Sequence, residues 1–177
     1  MSARVREMVE TDCPAVARVR VAGWRSAYRG LLPVAYLAAL DVEEDTAARR
    51  EQLARAREHH VVHLVAERGG DVVGWAAFGP DRGPGAGPGE AELYALYALP
   101  EVVGTGVGRA LMEEVTARAS SLGYGSLSLW VLEDNALGRR FYAKAGFTPD
   151  GTREPWKVGG TTLMELRCTR PLPPSPA

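Results

Sequence analysis

The sequence has little of what a metal-binding, membrane or nucleic-acid protein needs. Its two cysteines, Cys13 and Cys168, lie far apart without CxxC spacing, which fits a reducing compartment and offers no structural zinc motif. The 21 basic and 22 acidic residues nearly cancel, so no net field draws the chain to nucleic acid or to an anionic membrane. No run of about 18 apolar residues is present, and the first residues, MSARVREMVETD, lack the apolar core of a signal peptide. We therefore expect a cytoplasmic protein that binds neither nucleic acid nor a membrane.

What the chain does have is the length of one domain and an alternation of strand and helix patterns. Its 177 residues can bury a substantial core. Apolar periodicity predicts strands at residues 3–8, 60–67, 71–79, 91–99 and 126–132, from Phe147, and in TTLMELRC (161–168). Helices are predicted after the first strand, after residue 106 and at 135–145. This order predicts a mixed α/β fold, with one domain over 1–170 and a flexible proline-rich tail over 171–177 that has no core to join.

Two stretches are rich in turn-forming residues. Residues 80–90 hold four glycines and three prolines, which predicts a mobile loop, either a plain connector or a lid beside a ligand. Residues 151–160 are predicted to form a turn-rich excursion before the last strand. Between these stretches, residues 91–132 read as strand, glycine turn, helix and strand, which is typical of a right-handed βαβ unit. Such a unit places the glycine turn at the carboxyl end of a parallel strand, where ligands bind.

The glycine turn lies within residues 100–115, PEVVGTGVGRALMEEV, and is typical of a phosphate site. Gly104, Gly106 and Gly108 let the backbone approach a ligand, and the helix that follows presents unpaired N–H groups and a positive dipole end. The dinucleotide template GxGxxG fails because Arg109 stands at its last position, and no GxxxxGK[ST] run exists for a P-loop. What remains is a cradle for a pyrophosphate that is held and not cleaved, as in coenzyme A. The alternative is an ordinary helix start with glycines in its loop.

The glycine turn and a second motif resemble those of the GCN5-related N-acetyltransferases, the GNAT family. Residues 103–108, VGTGVG, stand where that family has its glycine signature, with Val103 in place of the usual Gln or Arg. A second signature, an asparagine followed by an aromatic pair and GF, is matched by Asn135, Phe141, Tyr142, Gly146 and Phe147. Residues 24–37, WRSAYRGLLPVAYL, look like the first helices of one bacterial branch, so the resemblance covers most of the chain. It implies a central mixed, mostly antiparallel sheet with a splayed parallel strand pair and helices on both faces.

The resemblance also implies a site for acetyl-CoA. The strand before the glycine turn would pair with pantetheine and donate amide N–H groups to the thioester carbonyl, while an asparagine would hold the pantetheine arm. The residues in these places are Leu96, Tyr97, Ala98, Val103, Gly104, Thr105, Gly106, Val107, Gly108, Arg109 and Asn135, with Tyr142 beside the sulfur. Asn135 also suits the N-cap of the helix that follows it.

Two residues are candidates for the proton transfers. An alkyl amine titrates near pH 10, so a base must take a proton from it, and the resemblance places Glu92 in that role. The departing thiolate needs a proton, and Tyr142 matches the family's general acid. The alternatives are a surface carboxylate at a strand mouth for Glu92 and a core aromatic for Tyr142.

The remaining aromatic and histidine residues carry weaker signals. Five aromatic residues lie on elements that border the acceptor cleft in the resembling family, and each suits a core position equally well: Trp24, Tyr28, Tyr94, Trp130 and Trp156. His59 and His63 share a strand face, but no third ligand is placed near them, so we expect no metal.

Together these patterns predict an acetyl-CoA-dependent N-acetyltransferase. It would move an acetyl group to a primary amine of a small molecule or peptide by direct attack, since neither signature contains a cysteine to carry the acetyl group. Two alternatives stay open: a non-catalytic coenzyme A binding or sensing module, and an acyltransferase with a longer acyl donor. The resemblance also allows a homodimer through late strands such as TTLMELRC.

Overall fold

Seven strands and five helices build residues 3–174, the part of the chain that the computed structural model describes. The strands are β1 (Arg4–Glu7), β2 (Val62–Arg68), β3 (Asp71–Pro80), β4 (Glu90–Ala98), β5 (Ser126–Leu132), β6 (Thr148–Val158) and β7 (Thr161–Pro171). The helices are α1 (Cys13–Ala27), α2 (Val34–Ala38), α3 (Val42–Arg55), α4 (Val107–Ser121) and α5 (Ala136–Lys144). Within residues 3–174, no helix is both long and apolar enough to cross a membrane.

The strands form one mixed sheet in the order β1-β2-β3-β4-β5-β7-β6. Strands β4 and β5 run parallel, whereas the other neighbours are antiparallel. The parallel pairing ends where Leu93 lies opposite Leu129. Just there the register of β4 against β3 shifts, because Phe78 pairs with Leu93 but Ala77 pairs with Ala95, which leaves Tyr94 as a bulge. The predicted mixed sheet with a splayed parallel pair is confirmed.

Helices cover both faces of the sheet because successive side chains along a strand point to opposite sides. On one face α4 packs its apolar stripe, which is fully buried as the four-residue spacing predicts: Val107, Leu111, Val115 and Ala119. On the other face Val65, Trp75 and Ala77 pack against Val16 and Val19 of α1. The prediction of helices on both faces is therefore confirmed.

Residues 151–158 belong to β6, so the turn-rich excursion predicted for 151–160 is wrong. Strand β6 pairs with β7 from Arg153 opposite Leu166 to Val158 opposite Thr161. The reversal is confined to residues 159–160, two glycines with positive φ. Pro149, Gly151 and Pro155 of β6 obscured the strand, yet an edge strand tolerates them because one side of its backbone pairs with no neighbour.

The last strand reaches further than the sequence suggests. Strand β7 ends at Pro171, and Leu172 beyond it is buried, with its N–H donating to the carbonyl of Gly125 at 2.9 Å. Residues 171 and 172 thus belong to the folded domain and not to a tail without a core, while 175–177 lie outside the described residues. Because β7 lies between β5 and β6, it has no free edge to pair with a second copy.

Gly74 generates a prediction about packing between β3 and α4. A Cβ at this position would lie 2.8 Å from Val107 Cγ1 and 3.0 Å from Leu111 Cδ1, both on buried side chains. We expect Gly74→Ala to lower the free energy of unfolding by about 1–3 kcal/mol through overpacking. Urea unfolding measures this, with Gly89→Ala as the control, because a Cβ there meets nothing within 4 Å. Equal stability of the two variants would contradict the close approach of α4.

Candidate functional site

The divergence of β4 and β5 opens a fork in the middle of the sheet. Beyond it, Leu96, Tyr97 and Ala98 stay paired with β3, opposite Ala76, Trp75 and Gly74. Their other side has no strand partner, since the β4–β5 ladder ends at Leu93. The backbone polar groups on that side are therefore available to an extended ligand that carries amide groups of its own.

The glycine turn follows directly from the end of β4 and forms a concave row of N–H groups. Gly104 and Gly106 have φ of 80° and 95°, in the left-handed region that favours glycine, and α4 begins at Val107. Within residues 3–174, the N–H groups of Gly104, Gly106, Val107 and Gly108 donate to no backbone or side-chain acceptor. Free N–H groups at the N-terminus of a 15-residue helix are a binding site for an anion such as phosphate.

Side chains contribute little to this turn. Val103 is 50% exposed, so the position where the resembling family has Gln or Arg offers no polar group here. Arg109 is turned along α4 to Glu113, with Nε 2.7 Å from Oε1. Sequence reasoning missed Arg68 of β2, whose Nη2 donates to the carbonyl of Thr105 at 3.2 Å and brings a cation to the turn. A lone arginine at a strand end carries no signal in the sequence.

The two sequence signatures meet across the fork. The ring of Phe141 lies 3.3 Å from the place that a Cβ on Gly108 would take, so a larger residue there would have to displace the ring by a few tenths of an ångström. Asn135 caps α5, its Oδ1 accepting from the N–H of Gly138 at 2.9 Å. A Cβ on Gly138 would lie 2.7 Å from Asn135 Nδ2, so a larger residue there would require the Asn135 side chain to shift. The cap leaves the Nδ2 group of Asn135 free to donate elsewhere.

Tyr142 lies on α5, half-buried between Phe141 and Phe147. Its ring centroid is 5.2 Å from that of Phe141 and 6.0 Å from that of Phe147, both in edge-on geometry. Burial raises the pKa of its hydroxyl above the ordinary value, and nearby Tyr97 and Cys168 raise it further. The hydroxyl therefore stays protonated at neutral pH and can donate a proton. Tyr97 belongs to the fork, which places Tyr142 near it.

Glu92 is buried and ion-paired, so the alternative interpretation as a surface carboxylate is wrong. It is 5% exposed, and Arg82 Nη2 lies 2.7 Å from its Oε1. The Nε and backbone N–H of Arg82 donate to Oε2 at 3.2 and 3.1 Å. These three bonds leave Oε1 with one acceptor position open to a further donor.

The loop after β3 is fastened at its start. Asp81 Oδ2 accepts from Ser128 Oγ and from Arg167 Nη2, each at 2.6 Å, and its Oδ1 accepts from the N–H of Gly83 at 2.7 Å. These bonds tie the first residues of the loop to β5 and β7. A lid, if this loop forms one, would have to move at its later residues.

Three of the five predicted acceptor-site aromatics form one cluster. Ring centroids of Trp24 and Tyr28 lie 5.0 Å apart, and Trp156 lies 5.7 and 6.0 Å from them. Tyr94 lies apart from them, under the guanidinium of Arg82 at 3.9 Å, with its hydroxyl donating to the carbonyl of Pro80. Trp130 is half-buried and makes no ring contact with the cluster within residues 3–174.

Glu165 of β7 is a carboxyl group near the fork that sequence reasoning missed. Burial raises its pKa, and the negative charges of Glu154 and Glu92 raise it further. Its own charge helps to raise the pKa of Tyr28, so it lies close to the aromatic cluster. The signal was present in the strand pattern, because an acidic residue in the middle of TTLMELRC faces the same side as Leu163.

The three histidines do not come together. His59 and His60 are exposed, whereas His63 is buried, with its ring stacked on Trp75 at 6.1 Å. Burial and then the charge of Arg49 lower the pKa of His63 to about 4. Within residues 3–174, no three His, Cys, Asp or Glu side chains are placed to hold a metal ion.

Comparison with known proteins relates this arrangement to acetyltransferases. The profile of the Acetyltransferase (GNAT) family matches residues 24–147. The uncharacterized N-acetyltransferase YuaI of Bacillus subtilis (strain 168) is 32% identical over 163 residues, which cover 92% of this chain and 89% of that protein. The structure of a ribosomal-protein-alanine N-acetyltransferase from Brucella melitensis has a TM-score of 0.74 at 27% identity, covering 96% of this chain and 99% of that one. The PaiA N-acetyltransferase from Thermoplasma acidophilum, solved in complex with coenzyme A, has a TM-score of 0.73 at 22% identity, covering 93% and 98%.

His63 generates a prediction about pH and stability. Its pKa is about 4 when folded and about 6.5 when unfolded, so the unfolded chain binds the extra proton first as the pH falls. Stability is therefore retained above pH 6.5 and lost as the pH falls from about 6.5 to about 4, by about 3 kcal/mol. Urea unfolding at several pH values measures this. His63→Gln should flatten the profile, whereas exposed His59→Gln should not, and identical profiles for both variants would contradict the burial of His63.

Proposed function

The chain belongs to the GNAT family of acetyltransferases, and on that premise we propose that it transfers an acetyl group from acetyl-CoA to a primary amine of a small molecule or peptide by direct attack. The observation that carries the proposal is the continuity of the fork with the glycine turn. An unpaired edge of β4 leads directly into a row of free N–H groups at the start of α4. An extended amide chain that ends in a pyrophosphate, which describes coenzyme A, fits such a surface along its length.

The residues at the fork and the turn suit the donor in distinct ways. The free N–H groups of Gly104, Gly106, Val107 and Gly108 would receive the pyrophosphate, and Arg68 would add a positive charge. Leu96, Tyr97 and Ala98 would pair with the pantetheine amides, and the Nδ2 group of Asn135 would donate to the same arm. Val103 has no polar side chain, and its N–H already donates to the carbonyl of Pro100 at 3.3 Å, so binding would depend on the free N–H groups that follow it.

The chemistry divides among the backbone and two side chains. When bound, acetyl-CoA supplies a thioester whose carbonyl carbon is open to attack by an amine. The β4 amides at 96–98 would donate to the carbonyl oxygen as it gains negative charge. Tyr142 would hold a proton ready for the leaving sulfur, since its raised pKa keeps the hydroxyl protonated.

The incoming amine must lose a proton before or during the attack. Glu92 is the proposed acceptor of that proton, on β4 two residues before the bulge. Its pairing with Arg82 makes this role testable, because the ion pair can be broken by substituting either Glu92 or Arg82. The aromatic cluster of Trp24, Tyr28 and Trp156 would line the path of the amine.

Removing the Tyr142 hydroxyl tests the acid. We expect Tyr142→Phe to lower kcat by about 100-fold or more, because general acid catalysis typically contributes that much, while acetyl-CoA affinity stays unchanged. Acetyl-CoA consumption over a panel of amines measures the rate, and calorimetry measures binding. Tyr124→Phe, another partly buried tyrosine packed against the same core, is the matched control. Full activity of Tyr142→Phe would rule out the acid role, and tight binding without turnover of any amine would favour a sensing module over an enzyme.

The two partners of the buried ion pair separate catalysis from structure at Glu92. Glu92→Gln and Arg82→Gln both break the pair, but only the first removes the carboxylate. If Glu92 is the base, Glu92→Gln lowers kcat by about 100-fold or more beyond the effect of Arg82→Gln. Steady-state rates across pH measure the difference, with thermal unfolding as a check on folding. Equal losses in the two variants would assign the pair a structural role only.

A further inference from the structure

A cavity of about 620 Å³ lies between α1, α3 and the face of β2, β3 and β4 that α4 does not cover. This volume is in the range of small-molecule sites, which are about 300–1,000 Å³. Its walls combine aromatic rings with guanidinium groups, principally Arg20, Arg49, Trp24, Trp75 and His63. The sequence patterns pointed to no such cavity, because its residues come from separate elements.

The charge on the walls is positive. Arg20 Nη1 lies 2.7 Å from Asp45 Oδ1, a close ion pair, whereas Arg49 Nε lies 3.6 Å from Asp45 Oδ2, beyond hydrogen-bond distance. One carboxylate thus serves two guanidinium groups. Arg49 is only 7% exposed, with its guanidinium 5.1 Å from the centre of the Trp75 ring. A buried cation with a shared counter-ion favours a negatively charged ligand.

Buried polar atoms without hydrogen-bond partners also favour a ligand that carries acceptor oxygens. Within residues 3–174, Arg49 Nε, Trp75 Nε1 and Trp24 Nε1 are buried N–H donors that find no acceptor. Two further buried atoms find no partner: Nδ1 of His63, which also lines the cavity, and Oδ2 of Asp45, which lies 3.6 Å from Arg49 Nε. Buried donors are normally satisfied, so several on side chains that line one cavity mark a wall that is short of acceptor oxygens.

The cavity adjoins the fork. Tyr94, Ala95 and Tyr97 of β4 line it, and the same residues lie at or just after the point where β4 leaves β5. A group held by Arg49 and Arg20 would therefore lie beside the place where the acetyl group is offered. We propose that the acceptor is an amine that also carries a carboxylate, in the manner of an amino acid, and that Arg49 and Arg20 bind this carboxylate. The inference rests on the proposed acetyl transfer and names its acceptor class.

The guanidinium group suits this chemistry. It is planar, stays charged at all working pH values and can give two parallel N–H donors to a carboxylate. Arg82 and Arg55 also line the cavity, but Arg82 is paired with Glu92 and Arg55 with Glu51. The surplus positive charge is thus concentrated at Arg20 and Arg49, on the α1 and α3 side.

Matched acceptor pairs test the proposal in the wild-type protein. Each pair is a free amino acid and its carboxamide, which keeps the amine and the shape but removes the negative charge. We expect kcat/KM to be about 10- to 100-fold higher for the free acids, the range of a hydrogen bond to a charged group. Equal or higher values for the carboxamides would overturn the proposal while leaving the acetyltransferase function intact.

Substitutions of the cavity arginines test whether they cause the preference for free acids over carboxamides. Arg49→Gln should bring the ratio of kcat/KM for the free acid to that for the carboxamide close to one, whereas Arg50→Gln, the exposed neighbour on the same helix, should keep the wild-type ratio. Arg20→Gln, on a different helix, gives the same test if Arg49→Gln does not fold. A preference that survives in both cavity variants would show that the carboxylate binds elsewhere and would overturn the assignment.

Calorimetric titration of the free amino acids into the protein with bound coenzyme A separates the two proposals. Binding to the wild type but not to Arg49→Gln, without acetylation of any amine, would support the carboxylate site and contradict acetyl transfer. Acetylation of neutral amines with no measurable binding of any amino acid would support acetyl transfer and contradict the carboxylate site.

Discussion

The end of the parallel pairing between β4 and β5 is the constraint on which the site depends. Tyr94 is inserted into β4 against β3, and the ladder to β5 ends at the residue before it. Beyond that point β4 keeps its bonds to β3 and presents an unpaired edge in the middle of a sheet. Because the strand then runs straight into the glycine turn, the open edge and the free N–H groups of α4 form one continuous polar surface. The proposed positions of the donor, the acid and the acceptor cavity all depend on this geometry.

The charged side chains around the fork are not all paired: the β7 side has an excess of carboxyl groups, and the α3 side has an excess of guanidinium groups. Glu92 with Arg82, and Asp81 with Arg167, are close pairs that fasten the β3–β4 loop to the sheet. On the β7 side, Glu165 is a half-buried carboxyl whose pKa is raised by burial and by Glu154 and Glu92. On the α3 side, Arg20 and Arg49 share Asp45. An acceptor with an amine at one end and a carboxylate at the other would be oriented by this difference in charge.

Much of the fold could be predicted because its signals are local. The spacing of Val107, Leu111, Val115 and Ala119 predicts the buried stripe of α4, and the apolar runs at 60–67 and 71–79 predict the strands β2 and β3, as the structure confirms. The predictions failed where contact with another part of the fold decides the conformation of a segment. Strand β6 contains prolines and a glycine that predict turns, yet pairing with β7 makes it an edge strand. Leu172 lies in a proline-rich stretch, yet its side chain is buried in the core.

The sequence by itself determined the family resemblance, the glycine turn and the candidate residues Tyr142 and Glu92, because backbone conformation and motif spacing are properties of short segments. Only the tertiary structure decided what those residues meet. Phe141 packs on Gly108, Glu92 is held by Arg82, and Arg49 is buried against Trp75. Some of these contacts join elements that are distant in the chain. The others depend on the side of a strand to which a side chain points. Spacing in the sequence carries no information about which elements the sheet brings together, and for that reason the cavity beside the fork became visible only in three dimensions.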